Sequence, residues 1–179
     1  MLPSLIGVIA SSGGAVDLTD YVSIATVNVG SGGVSSITFS SIPSTYKHLQ
    51  IRALTVTSTP SNGSAIQFNS DTTSANYKYH SVYGTGSSAS AGNGSPAYAP
   101  FFNGGAATTS PGSMVLDILD YSNTNKYKTI RSLDGYDANG SGYLGLTSGL
   151  WMNTAAISSI KFDAAYLQHS QFALYGIKG

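Results

Sequence analysis

The sequence predicts an all-β protein, an antiparallel β-sandwich. Only 9% of its 179 residues are charged, all eight acidic residues are Asp, and Gly and Ser are abundant. Such a composition disfavours helix interiors and favours turns and strands. Apolar and polar residues alternate with a period of two in segment after segment, and turn-forming residues separate these segments. About eight to ten strands at roughly ten-residue spacing form the pattern of a sandwich.

The first half of the chain contains five predicted strands. The turn "GSGG" separates the first two, and the Pro-containing segment "SSIPSTY" ends the second. The third strand, "KHLQIRALTVT", has a clear two-residue period, with Leu49, Ile51 and Ala53 on one face and the polar residues His48, Gln50 and Arg52 on the other. The five predicted strands are 21–29, 34–39, 47–57, 65–69 and 76–84.

Residues 85–112 are rich in Gly, Ser and Ala, which predicts a flexible excursion from the domain. Tyr98, Phe101 and Phe102 lie in its middle. Aromatic residues inside a polar segment indicate either a short buried strand or a contact surface, and we favour the strand slightly.

The second half is more regular. The segment "SNTNK" predicts a hairpin turn, "DANGSG" predicts the next turn, and "WMNTAAISSI" also fits a short helix. The predicted strands are 113–121, 127–136, 143–152, 156–164 and 170–178.

The chain opens with the apolar run "MLPSLIGVIASSGG". A secretion signal is disfavoured because the first basic side chain is Lys47, and no stretch approaches the ~20 apolar residues of a membrane span. The run is either a first β-strand or a docking peptide laid against a partner subunit; we favour docking and divide the chain into an arm, 1–20, and a sandwich, 21–179. The predicted docking residues are Leu2, Leu5, Ile6, Val8 and Ile9.

The composition also excludes some chemistry. The absence of Cys rules out disulfides, thiolate nucleophiles and Cys-based zinc sites. Zero net charge argues against nucleic acid as a partner. The three His residues are far apart in sequence, and "DANGSG" resembles the start of a calcium loop but lacks the bidentate Glu that would complete it. We therefore predict no metal and no cofactor.

Two pairs of carboxylates are candidate acids of a glycan-cleaving enzyme, Asp117 with Asp120 and Asp134 with Asp137. The alternative, which we favour, is cross-strand pairing with the basic residues Lys126, Lys128 and Arg131. We predict no catalytic residue and no enzymatic activity.

Twelve Tyr residues stand out beside so few charges. An exposed Tyr ring with its hydroxyl suits contact with glycans or with other protein subunits. Most are expected to be half-buried strand residues. The predicted surface contacts are Tyr77, Tyr79, Tyr83, Tyr98, Phe101 and Phe102.

Four segments and the N-terminus carry a resemblance to a known group of proteins. The segments are "ITFSSIPSTYKHLQIRAL", "LDILDYSNTNKYKTIRSLDGYDANGSG", "SGLWMNTAAISSIKF" and "SQFALYGIKG", and the start is "LIGVIASS". They resemble virion structural proteins of tailed bacteriophages, usually named tail fibre proteins. The likeness covers most of residues 1–57 and 111–179, and the region between them matches only loosely.

The resemblance implies a jelly-roll-like sandwich with no enzymatic activity, assembled as a homotrimer. It also implies a place on the surface of a phage particle, to which the N-terminal arm would attach the chain. We expect a tail fibre or appendage component that touches tail or baseplate proteins and binds host surface glycans. The alternatives are a capsid decoration protein, such as a cement protein or head fibre, and, less favoured, a glycan-cleaving enzyme.

Overall fold

Antiparallel strands dominate the structure, which confirms the predicted all-β sandwich. The computed structural model describes residues 20–58, 65–95 and 110–179. These ranges contain eleven strands and one 3-10 turn at Ser74–Asn76. The strands are β1 (Tyr21–Asn28), β2 (Val34–Phe39), β3 (His48–Thr55), β4 (Ala65–Phe68), β5 (Tyr77–Gly84), β6 (Ala89–Gly94), β7 (Gly112–Leu119), β8 (Lys128–Asp137), β9 (Gly142–Trp151), β10 (Ile160–Tyr166) and β11 (Gln171–Ile177).

The strands form two sheets of unequal size. The larger has the order β1-β11-β3-β7-β8-β9-β5-β6, and the smaller has the order β2-β10-β4. The chain alternates between the sheets from β1 to β4 and again from β9 through β10 to β11. Strand β11 thereby lies between β1 and β3, and β10 lies between β2 and β4. This alternation is the jelly-roll-like part of the fold, and β5 to β9 extend the larger sheet beyond it.

The core lies between the two sheets. On β3 the alternation is as predicted, since Leu49 and Ile51 are fully buried while Arg52 is exposed on the other face. We call the core side of the larger sheet its inner face and the opposite side its outer face. Other fully buried core residues include Leu116, Ile118, Ile130, Trp151 and Phe172 from the larger sheet and Ile66, Phe68, Ile160 and Phe162 from the smaller.

Strand β6 lies within residues 85–112, which were predicted to form a flexible segment. That prediction is wrong for the residues of β6. Strand β6 pairs with β5 along its whole length. The chain reverses between them through Gly86, whose φ of 89° few other residues adopt, and the amide of Thr85 donates to the carbonyl of Ser88 at 3.0 Å. Residues 96–109, with Tyr98, Phe101 and Phe102, lie outside the described residues.

The short helix considered between Trp151 and Ile160 is absent, because residues 152–159 have no regular secondary structure. Their backbone groups bond to distant parts of the chain instead of to one another. The amide of Ile157 donates to the carbonyl of Tyr121 at 2.9 Å, and the Asn69 side chain bonds both the carbonyl of Ala156 and the amide of Ser158. These long-range partners satisfy groups that a helix would otherwise have paired.

Candidate interaction surface

Five large aliphatic side chains are exposed together on the outer face of the larger sheet. Val82, Leu146, Leu133 and Val115 are direct cross-strand neighbours in one row across β5, β9, β8 and β7. Leu144 is the next outward residue on β9. All five are between 40% and 62% exposed. We call them the aliphatic patch.

The sequence of β9 explains why its leucines point outward. Its inward positions are taken by Gly145, Thr147, Gly149 and Trp151, and all four are buried. The ring of Tyr143 covers Gly145 so closely that a Cβ there would lie 2.6 Å from the Tyr143 hydroxyl. A side chain at position 145 would have to displace this ring. Because side chains alternate along a strand, the leucines on either side of Gly145 lie on the opposite face.

A shallow depression of about 610 Å³ lies within the patch. Leucine and valine side chains of the patch rise around it, and small outward residues of β5 and β6 accompany them: Gly84, Ala89 and Ala91. The outer face at this end of the sheet therefore has aliphatic ridges beside a hollow lined by small residues.

A polar rim borders the aliphatic patch. His80, Ser148, Arg131 and Asp117 form the adjacent outward row across the same four strands, again as direct cross-strand neighbours. From Asp117 the row continues to Gln50, whose Nε2 donates to the Asp117 carboxylate at 2.8 Å. An apolar centre with a polar rim is the usual anatomy of a protein–protein interface.

The row of the patch continues from Val115 to Arg52 on β3, and from there the outer face has a different chemistry. The Arg52 guanidinium lies 5.5 Å from the ring centre of Tyr21 and 5.4 Å from that of Tyr175. Its Nε donates to Gln50 Oε1 at 2.8 Å. The cation–π contacts and this hydrogen bond fix the guanidinium plane. We call Tyr21, Arg52 and Tyr175 the Arg–Tyr cluster, a partly exposed surface with two flat aromatic rings and a guanidinium group. The side chain of Gln50, which is buried, holds that group in place.

One predicted surface residue is wrongly placed, because Tyr77 is fully buried. Its hydroxyl donates to the carbonyl of Asp71 at 2.9 Å and accepts from the amide of Phe68 at 3.2 Å. Burial raises its pKa to about 12. Tyr77 is thus a core residue that ties the end of β4 to the start of β5.

The remaining tyrosines predicted on β5 are only half-buried. Tyr79 and Tyr83 lie on the same side of β5 as Tyr77, away from the aliphatic patch. The ring of Tyr83 stacks on Tyr143 of the neighbouring strand, with centres 5.5 Å apart. The contact predicted for β5 is therefore outside the patch, whose β5 member is Val82.

The N-terminal docking residues Leu2, Leu5, Ile6, Val8 and Ile9 lie outside the described residues. The first strand begins at Tyr21, the position predicted to open the sandwich. Within the described ranges, no helix has the length and apolar character needed to cross a membrane.

The candidate acids do not converge on one cleft. Strand alternation places Asp134 on the inner face, where it is buried, and Asp137 on the opposite side of β8. Asp120 forms ion pairs with Lys47 and Lys126, and these two lysines lower the pKa of its carboxyl group below 3.8. The pairing with Lys126 is as predicted.

The prediction that Lys128 pairs with a carboxylate is wrong, since its ammonium group binds the backbone carbonyls of Asn123, Lys126 and Thr154.

The segment "DANGSG" forms a hairpin turn. The amide of Ala138 donates to the carbonyl of Ser141 at 2.7 Å, and Asn139 and Gly140 both have positive φ, as a type I′ turn requires. Asp137 Oδ1 accepts from the Asn139 amide at 2.8 Å. No cluster of three or more His, Asp or Glu residues suited to a metal ion occurs in the three described ranges.

Comparison with protein-family models, with curated proteins and with solved structures finds no match for this chain.

Proposed function

We propose that this chain is a structural protein of a tailed-phage particle, held by its N-terminal arm and displaying the β-sandwich as part of a trimeric tail fibre or appendage. The proposal is supported by the resemblance of its sequence to such proteins and by the aliphatic patch. The patch carries the structural part of the argument, because it is suited to burial in an assembly.

The size of the patch is the main consideration. From the exposed fractions, its five side chains present roughly 400–500 Å² of aliphatic surface, which is within the range of the largest patches on monomeric proteins, and such patches are often functional. Few charged groups are present to keep such a surface solvated, since only 9% of residues are charged. A subunit of a larger particle resolves this by burying the patch against a neighbour.

Host adhesion is the role that we assign to the Arg–Tyr cluster. The exposed parts of the Tyr rings stack on the apolar faces of sugars, and the Arg52 guanidinium hydrogen-bonds their hydroxyls. Shallow sites of this kind bind weakly one at a time. Several copies on one particle compensate through avidity.

The aliphatic patch fits a capsid decoration protein as well as a tail appendage, and copy number separates the two. Quantitative mass spectrometry of purified particles should find a few to tens of copies for a tail appendage. Hundreds of copies would instead identify a capsid protein.

The arm is tested by deleting residues 2–14. We expect the truncated chain to keep the circular dichroism spectrum and melting temperature of the sandwich but to be absent from purified particles. Normal incorporation of this truncated chain would refute the anchoring role.

A further inference from the structure

We propose that the aliphatic patch is the contact between copies of this chain: the outer face of β7, β8, β9 and β5 packs against a second copy. This inference rests on the proposed function and names a two-fold contact between copies. It is separate from the contacts that would close a trimer, because a face that packs against itself joins only two subunits.

The first argument is area. A standard protein interface buries about 800 Å² on each partner, and somewhat more than half of this is apolar. The patch presents roughly 400–500 Å² of aliphatic surface. It therefore supplies nearly all the apolar area that one side of a stable contact requires, and the polar rim supplies the remainder.

The second argument is the direction of approach. Strands β7, β8 and β9 are hydrogen-bonded to neighbours on both sides, so their backbone groups are already paired. A partner cannot add a strand there and must pack face to face, as two sheets do at about 10 Å. The row of aliphatic side chains across four adjacent strands is the pattern found on the inner faces of packed sheets.

The third argument is self-complementarity, which favours a second copy over an unrelated protein. The ridges of Leu133, Leu144 and Leu146 adjoin a hollow of about 610 Å³ lined with small residues on the same face. The rim carries Arg131 directly opposite Asp117. When a two-fold rotation brings two such faces together, the leucine ridges of each copy meet the hollow of the other. Arg131 of each copy can then lie opposite Asp117 of the other.

The test is the oligomeric state of the full chain, measured by sedimentation velocity from 1 to 100 µM. We expect association of the wild-type chain and at least a tenfold weakening by Val115→Lys. Val34→Lys is the matched control, because Val34 is also a strand valine, 42% exposed against 40% for Val115, but belongs to the smaller sheet. It should associate like the wild type.

A second variant guards against misfolding of the lysine variant. Leu146→Thr keeps a residue that favours strands while removing aliphatic surface, and it should also weaken association while melting as a folded protein. A wild-type chain that stays monomeric at 100 µM would overturn the proposal. So would association that Val115→Lys and Leu146→Thr leave unchanged, or an intramolecular cross-link showing the patch covered by residues 1–19 of the same chain.

The outcome is distinguishable from failure of the proposed function. Chains that reach the particle but show no patch-dependent association would refute this contact and leave the virion role standing. A chain that associates through the patch but never occurs in particles would refute the virion role and leave this contact standing.

Discussion

Replacing Lys128 by Met should destabilise the sandwich strongly, although the two side chains are similar in length. Lys128 is fully buried, and its ammonium group donates to three backbone carbonyls, those of Asn123 at 2.6 Å, Lys126 at 2.9 Å and Thr154 at 3.0 Å. The three bonds join the β7–β8 turn to the segment that follows β9. Methionine would leave all three oxygens without this donor.

The magnitude follows from two opposing terms. Each partly buried carbonyl that loses its charged donor costs about 1–1.5 kcal/mol, and the three together cost roughly 3–4 kcal/mol. A second effect opposes this loss. Burial of the charged ammonium group is itself unfavourable, as the lowered pKa of Lys128 indicates, so removing the charge stabilises the folded state and offsets part of the loss. We expect a net loss of about 2–4 kcal/mol in the free energy of unfolding, or a melting temperature about 5–15 °C lower.

The assay is urea unfolding of wild type and variant at the same chain concentration, since association would make apparent stability depend on concentration. Lys126→Met is the control: its side chain is 55% exposed and holds only a surface ion pair with Asp120, so its loss should cost less than about 1 kcal/mol. The reasoning is refuted if the free energy of unfolding of Lys128→Met lies within about 0.5 kcal/mol of the wild-type value. It is also refuted if Lys128→Met and Lys126→Met are destabilised by the same amount.

Two further predictions concern the same sandwich. Asp120→Asn should lower stability at neutral pH by less than about 1 kcal/mol. Lys126 and Lys47 lower the pKa of Asp120 in the folded state, so this stabilisation is present above pH 3.8 and is lost as the pH falls through that lower pKa. The difference in stability between Asp120→Asn and the wild type should therefore disappear in acid. A difference that persisted at low pH would contradict the prediction. Trp151→Phe should cost about 1–3 kcal/mol in urea unfolding, because the indole N–H donates to the Asp71 carboxylate at 2.8 Å, and an unchanged midpoint would show that this bond contributes nothing.

Strand positions were largely predictable because the alternation of polarity and the turn residues coincide. On β3 the apolar set faces the core and the polar set faces outward, so the sequence identifies both the strand and its faces. Strand β6 was missed because its sequence, "ASAGNG", has no apolar alternation. It is a strand because β5 pairs with it across a short turn, and that pairing leaves no mark on the polarity pattern of its own residues.

The aliphatic patch was missed for a related reason. On β9 the leucines alternate with Gly and Thr, and the usual rule would turn the leucines inward. The inward positions instead hold small residues beneath Tyr143 and, at the end of the strand, Trp151. A run of leucines opposite glycines on one strand was the available signal, although it does not by itself say which side faces solvent.

The burial of Tyr77 and Lys128 could not be predicted from local sequence. The hydroxyl of Tyr77 contacts groups six and nine residues away, and one of the three Lys128 acceptors is 26 residues away. Both residues resemble ordinary exposed strand residues until the fold assembles their partners.

The most direct test of the account is to locate the chain in purified phage particles. The account predicts that a tailed phage encodes this chain. Purified particles of that phage should then contain the chain in a fixed number of copies, visible by electron microscopy as multi-subunit projections labelled at an introduced C-terminal tag. A chain that is made during infection but is absent from washed particles would contradict the account.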